Sequence, residues 1–559
     1  MNKSNWKYLL PIFFICNILV NINLFFKKNK IDVYNNTDEA WYGIVLENIA
    51  QYGCPLGVPV TFLKSETKNF HTCLFFKILN KITPFEDFAK KAIYLKVLAR
   101  ALTLLVLGLF SYLFFKNVLW GIGFAVIYFL DIGFGGLLPI FKSILSLLNN
   151  SFEPLIRTNR FISPLHYSLP GLFCLYFFIK SSKEQFLSNL AIIFSLLCMF
   201  LMAIIPFYAW IPYHFFLLCI VFYSFLFHRD GSVWKKLLAI QFLGFLFILF
   251  YLKTKLGMPF QEEALLRSSF FKNDFSPIYI FFKSFIFSLC FLFFVLYKKT
   301  KSYLFAGVVC VGCYLLMNLN ILTGYEYQNF HFKDYLSLPI YFTIFLFIGH
   351  SYRQYKKALA GLLVGLIFLL TLNSIKSNIK SVSQLSQLTS VEENLDVLNY
   401  MALNIFNQKI YCGQLYNLIP LYTKNRCFYH HLLMTYPIDD EELLDINVVY
   451  FGILNYDRKK MLQVFANDRK EKTLATYSYG VKKAWIKNTP PNQRYTKKLN
   501  ILKLQRNWLD YYALNFTALL PKFLNKFDYM VIPNTTTQVY PSFSLEKQFK
   551  NFKLLKKLR

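Results

Sequence analysis

The sequence lacks the short motifs typical of soluble enzymes and metal-binding domains. Its C-terminal third has no Gly-rich phosphate loop, no GxSxG nucleophile elbow and no paired-metal signature. No Cys/His ligand spacing predicts a structural zinc site, because Cys310-Val311-Gly312-Cys313 falls inside an apolar run. No small-residue cleavage site follows the first apolar run, so we interpret that run as an anchor rather than a signal peptide. We therefore expect any catalytic chemistry before the C-terminal third.

Acidic residues are scarce too, with 30 Asp and Glu against 61 Lys and Arg, which gives a formal net charge of +31. The chain is rich in Lys, Asn, Phe, Ile and Tyr together, as broad codon bias produces. A basic membrane chain meets anionic lipid headgroups more often than nucleic acid. We predict no nucleic-acid partner, and compositional drift is at least as good an explanation as a selected basic surface.

Charges are nearly absent from a series of apolar runs, each long enough to cross a hydrocarbon core of about 30 Å. The composition, 55% hydrophobic and 19% aromatic, fits a membrane protein. We predict eleven transmembrane helices, at 7–26, 97–115, 118–139, 165–181, 187–205, 208–227, 234–252, 278–297, 303–322, 335–351 and 357–374. The predicted fold is mainly α: a polytopic membrane domain over 1–375 and a C-terminal domain over 376–559.

The positive-inside rule orients these spans. With the N-terminus in the cytoplasm, the short inner loops are dense in Lys and Arg: 116–117, 180–184, 228–236, 298–301 and 352–357. The outer face then receives 27–95, 140–164, 253–277, 323–334 and everything after about 375. We predict that Asp38 and the C-terminal domain lie on the same, non-cytoplasmic side.

The C-terminal third has mixed polar composition and alternating patterns. Strand-like runs at 409–412, 446–451 and 529–532 alternate with helical stretches at 392–406 and 507–526. Such alternation predicts a small extracytoplasmic α/β domain with a supporting or acceptor-binding role. Two outer cysteine pairs, Cys54 with Cys73 and Cys412 with Cys427, are either disulfides or free buried thiols, and we weigh these alternatives equally.

The acidic pair Asp38-Glu39 follows the first span. Asn36 or Thr37 could cap a helix starting here, with Glu39 completing a capping box, and acidic residues favour a helix N-terminus. A functional alternative comes from the location, because nearby Trp41, Tyr42 and Tyr52 would form an aromatic rim typical of sugar-handling sites.

Cations recur on the predicted outer face. Arginine suits bidentate phosphate binding and lysine supplies a point charge. Singly, each cation fits interfacial snorkelling better. As a set on one side, together with a carboxylate, they fit a lipid-phosphate site, whose members are Arg157, Arg160, His166, Arg267, His331 and Lys333, with Tyr335 close to Lys333 in sequence.

Four stretches resemble the GT-C class of integral-membrane glycosyltransferases, in particular the protein O-mannosyltransferase and lipid A aminoarabinose transferase group. They are Asp38-Glu39-Ala40-Trp41-Tyr42, Phe70-His71-Thr72-Cys73-Leu74, Leu98-Ala99-Arg100-Ala101-Leu102 and 333–339. Two departures are Thr72-Cys73 in place of prolines and Asp334 in place of an arginine. The Trp-Trp-Asp-Tyr-Gly motif of oligosaccharyltransferases is absent.

The resemblance implies an enzyme of the bacterial inner (plasma) membrane that moves a sugar from polyprenyl phosphate to an acceptor hydroxyl. Its partners would be the lipid-linked donor, membrane lipids and a lipid, glycan or protein acceptor. Asp38 would be the catalytic base and Glu39 an accessory group. It adds Tyr42, His71 and Arg100 to the substrate-binding residues. Some members of the class bind a divalent cation, but no ligand cluster here predicts a metal site.

Three other functions fit parts of the pattern. A lipid-linked substrate transporter or flippase would place charges at mid-membrane, where these spans carry only Asp131 and Lys283. A non-catalytic envelope assembly protein would tolerate Asp38→Asn. A polymerase or ligase of lipid-linked glycans would carry its large outer loop between late spans, whereas the longest internal outer loop here follows the first span.

Overall fold

The structure, a computed structural model, describes residues 6–21, 37–53, 70–86, 88–115, 117–134, 165–181, 186–205, 207–227, 231–255, 270–272, 325–327, 394–429, 438–457 and 514–558, with isolated residues at 316, 459 and within 361–372. In its first part these ranges form helices α1 Trp6–Val20, α2 Thr37–Tyr52, α3 Phe70–Ile82, α4 Phe88–Phe115, α5 Val118–Phe134, α6 Leu165–Ser181, α7 Phe186–Ala203, α8 Phe207–Phe227 and α9 Gly231–Lys255. The described fold is mostly helical.

Each of the first seven predicted spans coincides with one of the apolar helices α1 and α4 to α9. Two of them contain stretches long and apolar enough to cross a membrane, Lys90–Phe114 on α4 and Val233–Phe250 on α9. The other apolar helices are shorter within the described ranges. The last four predicted spans fall almost entirely outside those ranges, so the total of eleven stays a prediction.

Neighbouring helices pack in pairs, α4 with α5, α6 with α7 and α8 with α9, and α6 also contacts α4 and α8. Small residues allow close approach at these contacts. On α5, Gly121 lies directly against the backbone of Leu107 in α4, where a Cβ would collide with the carbonyl group. A short antiparallel ladder joins β1 Phe270–Lys272 to β2 Tyr325–Tyr327.

The C-terminal part forms an α/β unit, as predicted. Its elements are α10 Leu395–Asn404, β3 Lys409–Tyr411, α11 Ile419–Tyr422, β4 Arg426–Cys427, α12 Asp440–Ile453, a helical stretch at 514–524, β5 Tyr529–Pro533, β6 Phe543–Gln548 and β7 Phe552–Lys557. The sheet order is β4-β3-β5-β7-β6. The pairs β4–β3 and β3–β5 are parallel, and the pairs β5–β7 and β7–β6 are antiparallel. The predicted boundary at 375/376 lies outside the described residues and stays a prediction.

One predicted strand is wrong, because residues 446–451 belong to helix α12. The helix begins after Asp439, whose carboxylate accepts hydrogen bonds from the backbone N–H groups of Glu441 and Glu442. The β-branched run is buried around most of its circumference, so tertiary packing overrides its strand propensity. By contrast, the strands predicted at 409–412 and 529–532 are confirmed as β3 and β5.

Cys412 and Cys427 form a disulfide, with Cα atoms 5.7 Å apart, which decides between the two alternatives for this pair. Both side chains are buried beside the sheet. Cys73 is disulfide-bonded as well. Cys54 lies outside the described residues, so its pairing with Cys73 stays a prediction.

Candidate functional site

The acidic pair Asp38-Glu39 lies in the first turn of helix α2. Backbone N–H groups at a helix N-terminus are unpaired and carry partial positive charge, so carboxylates are stabilised there. The side chains of 37–41 are outside what the structure describes, as is Asn36, so the capping box stays a prediction. Asp38 and Glu39 therefore lie at the start of a helix, as the sequence predicted.

Helix α2 is fixed by a buried apolar face. Ile44, Val45, Leu46 and Ile49 are all buried, and α2 packs on α3 and α4. The Asn80 side chain of α3 donates a hydrogen bond to the Leu46 carbonyl oxygen at 2.9 Å, although that carbonyl is inside a helix. The acidic pair thus begins a helix whose remaining turns are held by two neighbours.

Tyr42 is part of this packing rather than of an exposed rim. Its side chain is buried, and its ring lies 6.5 Å from that of Phe76 on α3, centroid to centroid. Little of the ring is left exposed in this arrangement, and a substrate contact by Tyr42 stays a prediction. The side chains of Trp41 and Tyr52 are not described.

An ion pair joins α2 to the head of α4. Lys91 Nζ donates to Glu47 Oε1 at 2.8 Å, and the two side chains are 8% and 23% exposed. A largely buried lysine needs such a partner, because an unpaired charge away from water is costly. Glu47 lies nine residues C-terminal to Asp38 on α2 and Lys91 lies on α4, so the pair sets the position of α2 against α4.

Arg100, predicted to bind substrate, is buried on α4. Its Nη1 donates to the Val20 carbonyl oxygen at 2.7 Å and lies 3.3 Å from Asn21 Oδ1. The guanidinium therefore satisfies a carbonyl group left open at the end of α1, where a cation also favours the helix dipole. Substrate binding by Arg100 stays a prediction.

Buried cations follow one another along the first half of α4: Lys91, Lys96 and Arg100. Lys96 and Arg100 are four residues apart and share a face of the helix. Sequence reasoning found only Arg100. Lys91 and Glu47 are 44 residues apart, so no local pattern joins them. Lysines inside an otherwise apolar helix nevertheless indicate residues that are paired or functional.

The other predicted residues are only partly located. His71 lies in the first turn of α3 and His166 in the first turn of α6, and neither side chain is described. Six further residues lie outside the described ranges: Arg157, Arg160, Arg267, His331, Lys333 and Tyr335. Within the ranges that the structure describes, no group of three or more His, Cys, Asp or Glu side chains could hold a metal ion.

The β1–β2 ladder pairs two segments that are close in sequence to Arg267 and His331. Phe270, the first residue of β1, pairs with Tyr327, the last residue of β2. Arg267 precedes Phe270 by three residues, and His331 follows Tyr327 by four. The ladder therefore joins the two chain segments that carry these residues in sequence.

No protein-family model matches this chain, and no curated protein matches its sequence. Among solved structures, it is similar to the crystal structure of ArnT from Cupriavidus metallidurans bound to undecaprenyl phosphate. The alignment covers 99% of this chain and 98% of that chain, at 10% sequence identity and a TM-score of 0.39. Similarity at this level assigns neither a family nor an activity to the chain.

Proposed function

We propose that the protein is a GT-C-type glycosyltransferase that moves a sugar from polyprenyl phosphate to an acceptor hydroxyl at the outer face of the membrane. The observation that carries the proposal is the start of α2 at an acidic pair, beside a helix whose first half buries Lys91, Lys96 and Arg100. A carboxylate for proton abstraction and cations for phosphate binding are the two requirements of this reaction, and the packed helices α2 and α4 carry both.

Asp38 is the proposed general base. It would take the proton from the acceptor hydroxyl as that oxygen attacks the anomeric carbon. The bond from the anomeric carbon to the phosphate oxygen then breaks in the same step. A single displacement with one base inverts the anomeric centre. A positioned base of this kind contributes about 10²–10⁴-fold to the rate.

Cations would stabilise the phosphate leaving group, which gains negative charge as the glycosidic bond breaks. Arg267 and the His331–Lys333 segment flank the paired strands β1 and β2 in sequence, which supports their action as one group. Arg157 and Arg160, which precede α6 in sequence, and His166, in the first turn of α6, would add to it. Glu39 would orient the acceptor or bind a cation, or serve the helix N-terminus alone.

The finer architecture belongs to the same proposal. We propose eleven spans, with the outer loop over 27–95 and the C-terminal domain both on the extracytoplasmic face. The contact of α2 with α11 supports a shared side, because both segments must lie in one compartment to touch. The sugar, the acceptor and the carrier length are left to experiment.

The test compares sugar transfer by membranes that contain wild type, Asp38→Asn, Glu39→Gln or Glu546→Gln. Labelled polyprenyl-phosphate sugars serve as donors. Asp38→Asn keeps size and polarity but cannot accept the proton, so we expect transfer to fall at least 100-fold. Glu546→Gln removes a carboxylate from the edge strand β6 and should match wild type.

Equal transfer by wild type and Asp38→Asn would refute the assigned base. A loss in Glu39→Gln alone would move the catalytic role to Glu39. No labelled product from any donor, with folded wild-type protein in the membrane, would favour a transporter or an assembly protein.

A further inference from the structure

Two large apolar side chains are exposed at the C-terminal end of α10. Leu403 is 76% exposed and Phe406 is 47% exposed. Met401 and Ile405, which alternate with them along the chain, are buried in the core of the C-terminal domain, so the two exposed side chains point away from that core. A single exposed leucine is ordinary on a protein surface, and exposure alone assigns no role to these side chains. Their position relative to the membrane is the second observation.

Helix α4 provides a depth reference. Its apolar stretch Lys90–Phe114 has 25 residues and is about 37 Å long as an α-helix. A bilayer is about 40–45 Å thick with its headgroups, so the two ends of a spanning stretch of this length lie in the headgroup layers. Lys91, the second residue of the stretch, is therefore at headgroup level on the side of the membrane where α4 begins.

The contacts of α2 relate this depth to the C-terminal domain. Glu47 of α2 forms its ion pair with that lysine at 2.8 Å, so this turn of α2 is at the same level to within the length of a lysine side chain. Gln51 follows one turn later, about 6 Å along the helix, and donates to Asn407 Oδ1 at 2.9 Å. Phe406 directly precedes Asn407, and Leu403 is four residues before it. The two exposed side chains thus lie close to the membrane surface.

A cation accompanies the two apolar side chains. Lys424 is exposed, and its carbonyl oxygen accepts a hydrogen bond from the Asn407 N–H at 2.8 Å, so the two residues adjoin each other. Lysines near a bilayer surface attract anionic headgroups, and apolar side chains beside them enter the boundary between headgroups and acyl chains. The combination complements a lipid surface that is anionic on the outside and apolar beneath.

We propose that Leu403, Phe406 and Lys424 form an interfacial anchor, through which the C-terminal domain binds the lipid bilayer directly. Leu403 and Phe406 insert at the boundary between headgroups and acyl chains, and Lys424 pairs with the phosphate of an anionic lipid. The anchor and the Gln51–Asn407 hydrogen bond hold the domain at two neighbouring points, one on lipid and one on α2. The anchor requires that α4 crosses the membrane, and it is independent of the proposed sugar transfer.

The test is photo-crosslinking of the full chain in nanodiscs that contain equal amounts of phosphatidylglycerol and phosphatidylcholine. The photoreactive residue p-benzoylphenylalanine replaces Leu403, Phe406 or, as the matched control, Leu545. Leu545 is 56% exposed but lies on β6, the opposite edge of the sheet from β4, which follows Lys424 by two residues. Four strand spacings, about 19 Å, separate β6 from β4. We expect lipid adducts at 403 and 406 in several times the yield at 545.

Two results would overturn the anchor. One is a yield of lipid adducts at 403 and 406 that is no higher than the yield at 545. The other is crosslinking to peptide in place of lipid, within this chain or to a second copy. All three positions are exposed, so the replacements should not disturb folding. Position 403 or 406 decides alone if the other variant is not recovered.

Charge variants test the role of Lys424. The photoprobe at 406 should favour phosphatidylglycerol, and Lys424→Glu should lower that preference about fivefold, the effect of one lysine charge near an anionic surface. Lys550→Glu changes an exposed lysine between β6 and β7 and should retain the preference. An unchanged preference in Lys424→Glu would overturn the assignment of Lys424. The nanodiscs contain no sugar donor, so this test and the Asp38→Asn test succeed or fail independently.

Discussion

Gln51 in the last turn of α2 donates a hydrogen bond from Nε2 to Asn407 Oδ1, at 2.9 Å across 356 residues of sequence. The same amide reaches the Lys424 carbonyl oxygen at 3.5 Å, and Asn407 N–H donates to that carbonyl at 2.8 Å. The helix that starts at the acidic pair therefore ends on the C-terminal domain. This contact favours the predicted supporting role of the C-terminal domain, because the domain holds one end of α2.

We predict that Asn407→Val destabilises the protein more than Asn407→Gly. Both substitutions remove the bond to Gln51, which is exposed and is expected to contribute about 1 kcal/mol or less. Asn407 has φ of +58°, a left-handed conformation that glycine adopts freely and that costs other L-residues about 1–2 kcal/mol. Thermal unfolding of the purified variants measures the difference. Equal melting temperatures would show that the backbone conformation is not retained.

We predict an asymmetric effect at the Glu47–Lys91 pair. Glu47→Gln leaves the more buried Lys91 charge without its carboxylate, and breaking such a pair costs about 3–5 kcal/mol. Lys91→Met leaves the Glu47 carboxylate without its lysine, but this side chain is more exposed and water can reach it. The loss in the free energy of unfolding should therefore be smaller. The double variant should recover most of the loss.

A surface pair provides the control for that experiment. Lys556 and Glu546 are 3.7 Å apart and well exposed, so Glu546→Gln should cost less than about 1 kcal/mol. Denaturant unfolding of all four variants gives the free energies. The prediction fails if Lys91→Met is more damaging than Glu47→Gln.

Loss of the Cys412–Cys427 disulfide should destabilise the C-terminal domain. The bond closes a loop with a sequence separation of 15, for which chain entropy predicts about 3 kcal/mol. The Cys412→Ala/Cys427→Ala double variant should therefore melt at a lower temperature than wild type without reductant. Cys16→Ala, which removes a free thiol from α1, is the control. Identical melting of wild type and the double variant would contradict this prediction.

Stability should fall at alkaline pH because of Tyr450. Its hydroxyl donates to the Gly413 carbonyl oxygen at 3.1 Å, and its ring stacks on Tyr429 with centroids 3.7 Å apart. Burial, and then the neighbouring tyrosines, raise the pKa of Tyr450 well above its ordinary value. The unfolded chain loses this proton near pH 10, where the folded protein still holds it. The stabilisation is thus complete below about pH 10 and decreases above it.

Tyr450→Phe separates this effect from general alkaline unfolding. The variant loses one hydrogen bond, about 1 kcal/mol, at neutral pH. Its free energy of unfolding should then fall less steeply than that of wild type as the pH rises above about 10. Parallel curves for the two proteins would exclude Tyr450 as the group responsible.

The sequence predicted elements wherever local pattern decides structure. Apolar length located α1 and α4 to α9, and alternation located β3 and β5. The sequence-based prediction failed at 446–451, where a β-branched run forms part of α12. A run that is buried on most sides is compatible with a strand or a helix, and the Asp439 cap makes it a helix here. Proximity in sequence suggested Cys412 and Cys427 as a pair but left a disulfide and free thiols equally open, since the spatial separation of the two Cα atoms decides a disulfide.

By itself the sequence determined the order of apolar helices, the α/β character of the C-terminal third and the start of a helix at Asp38. Periodicity and capping act over a few residues, so they can be read along the chain. Only the tertiary structure decided that Lys91 pairs with Glu47, that Arg100 bonds to the end of α1 and that Gln241 meets His214. These contacts join residues 27 to 80 positions apart, and only the packing of whole helices brings such residues together.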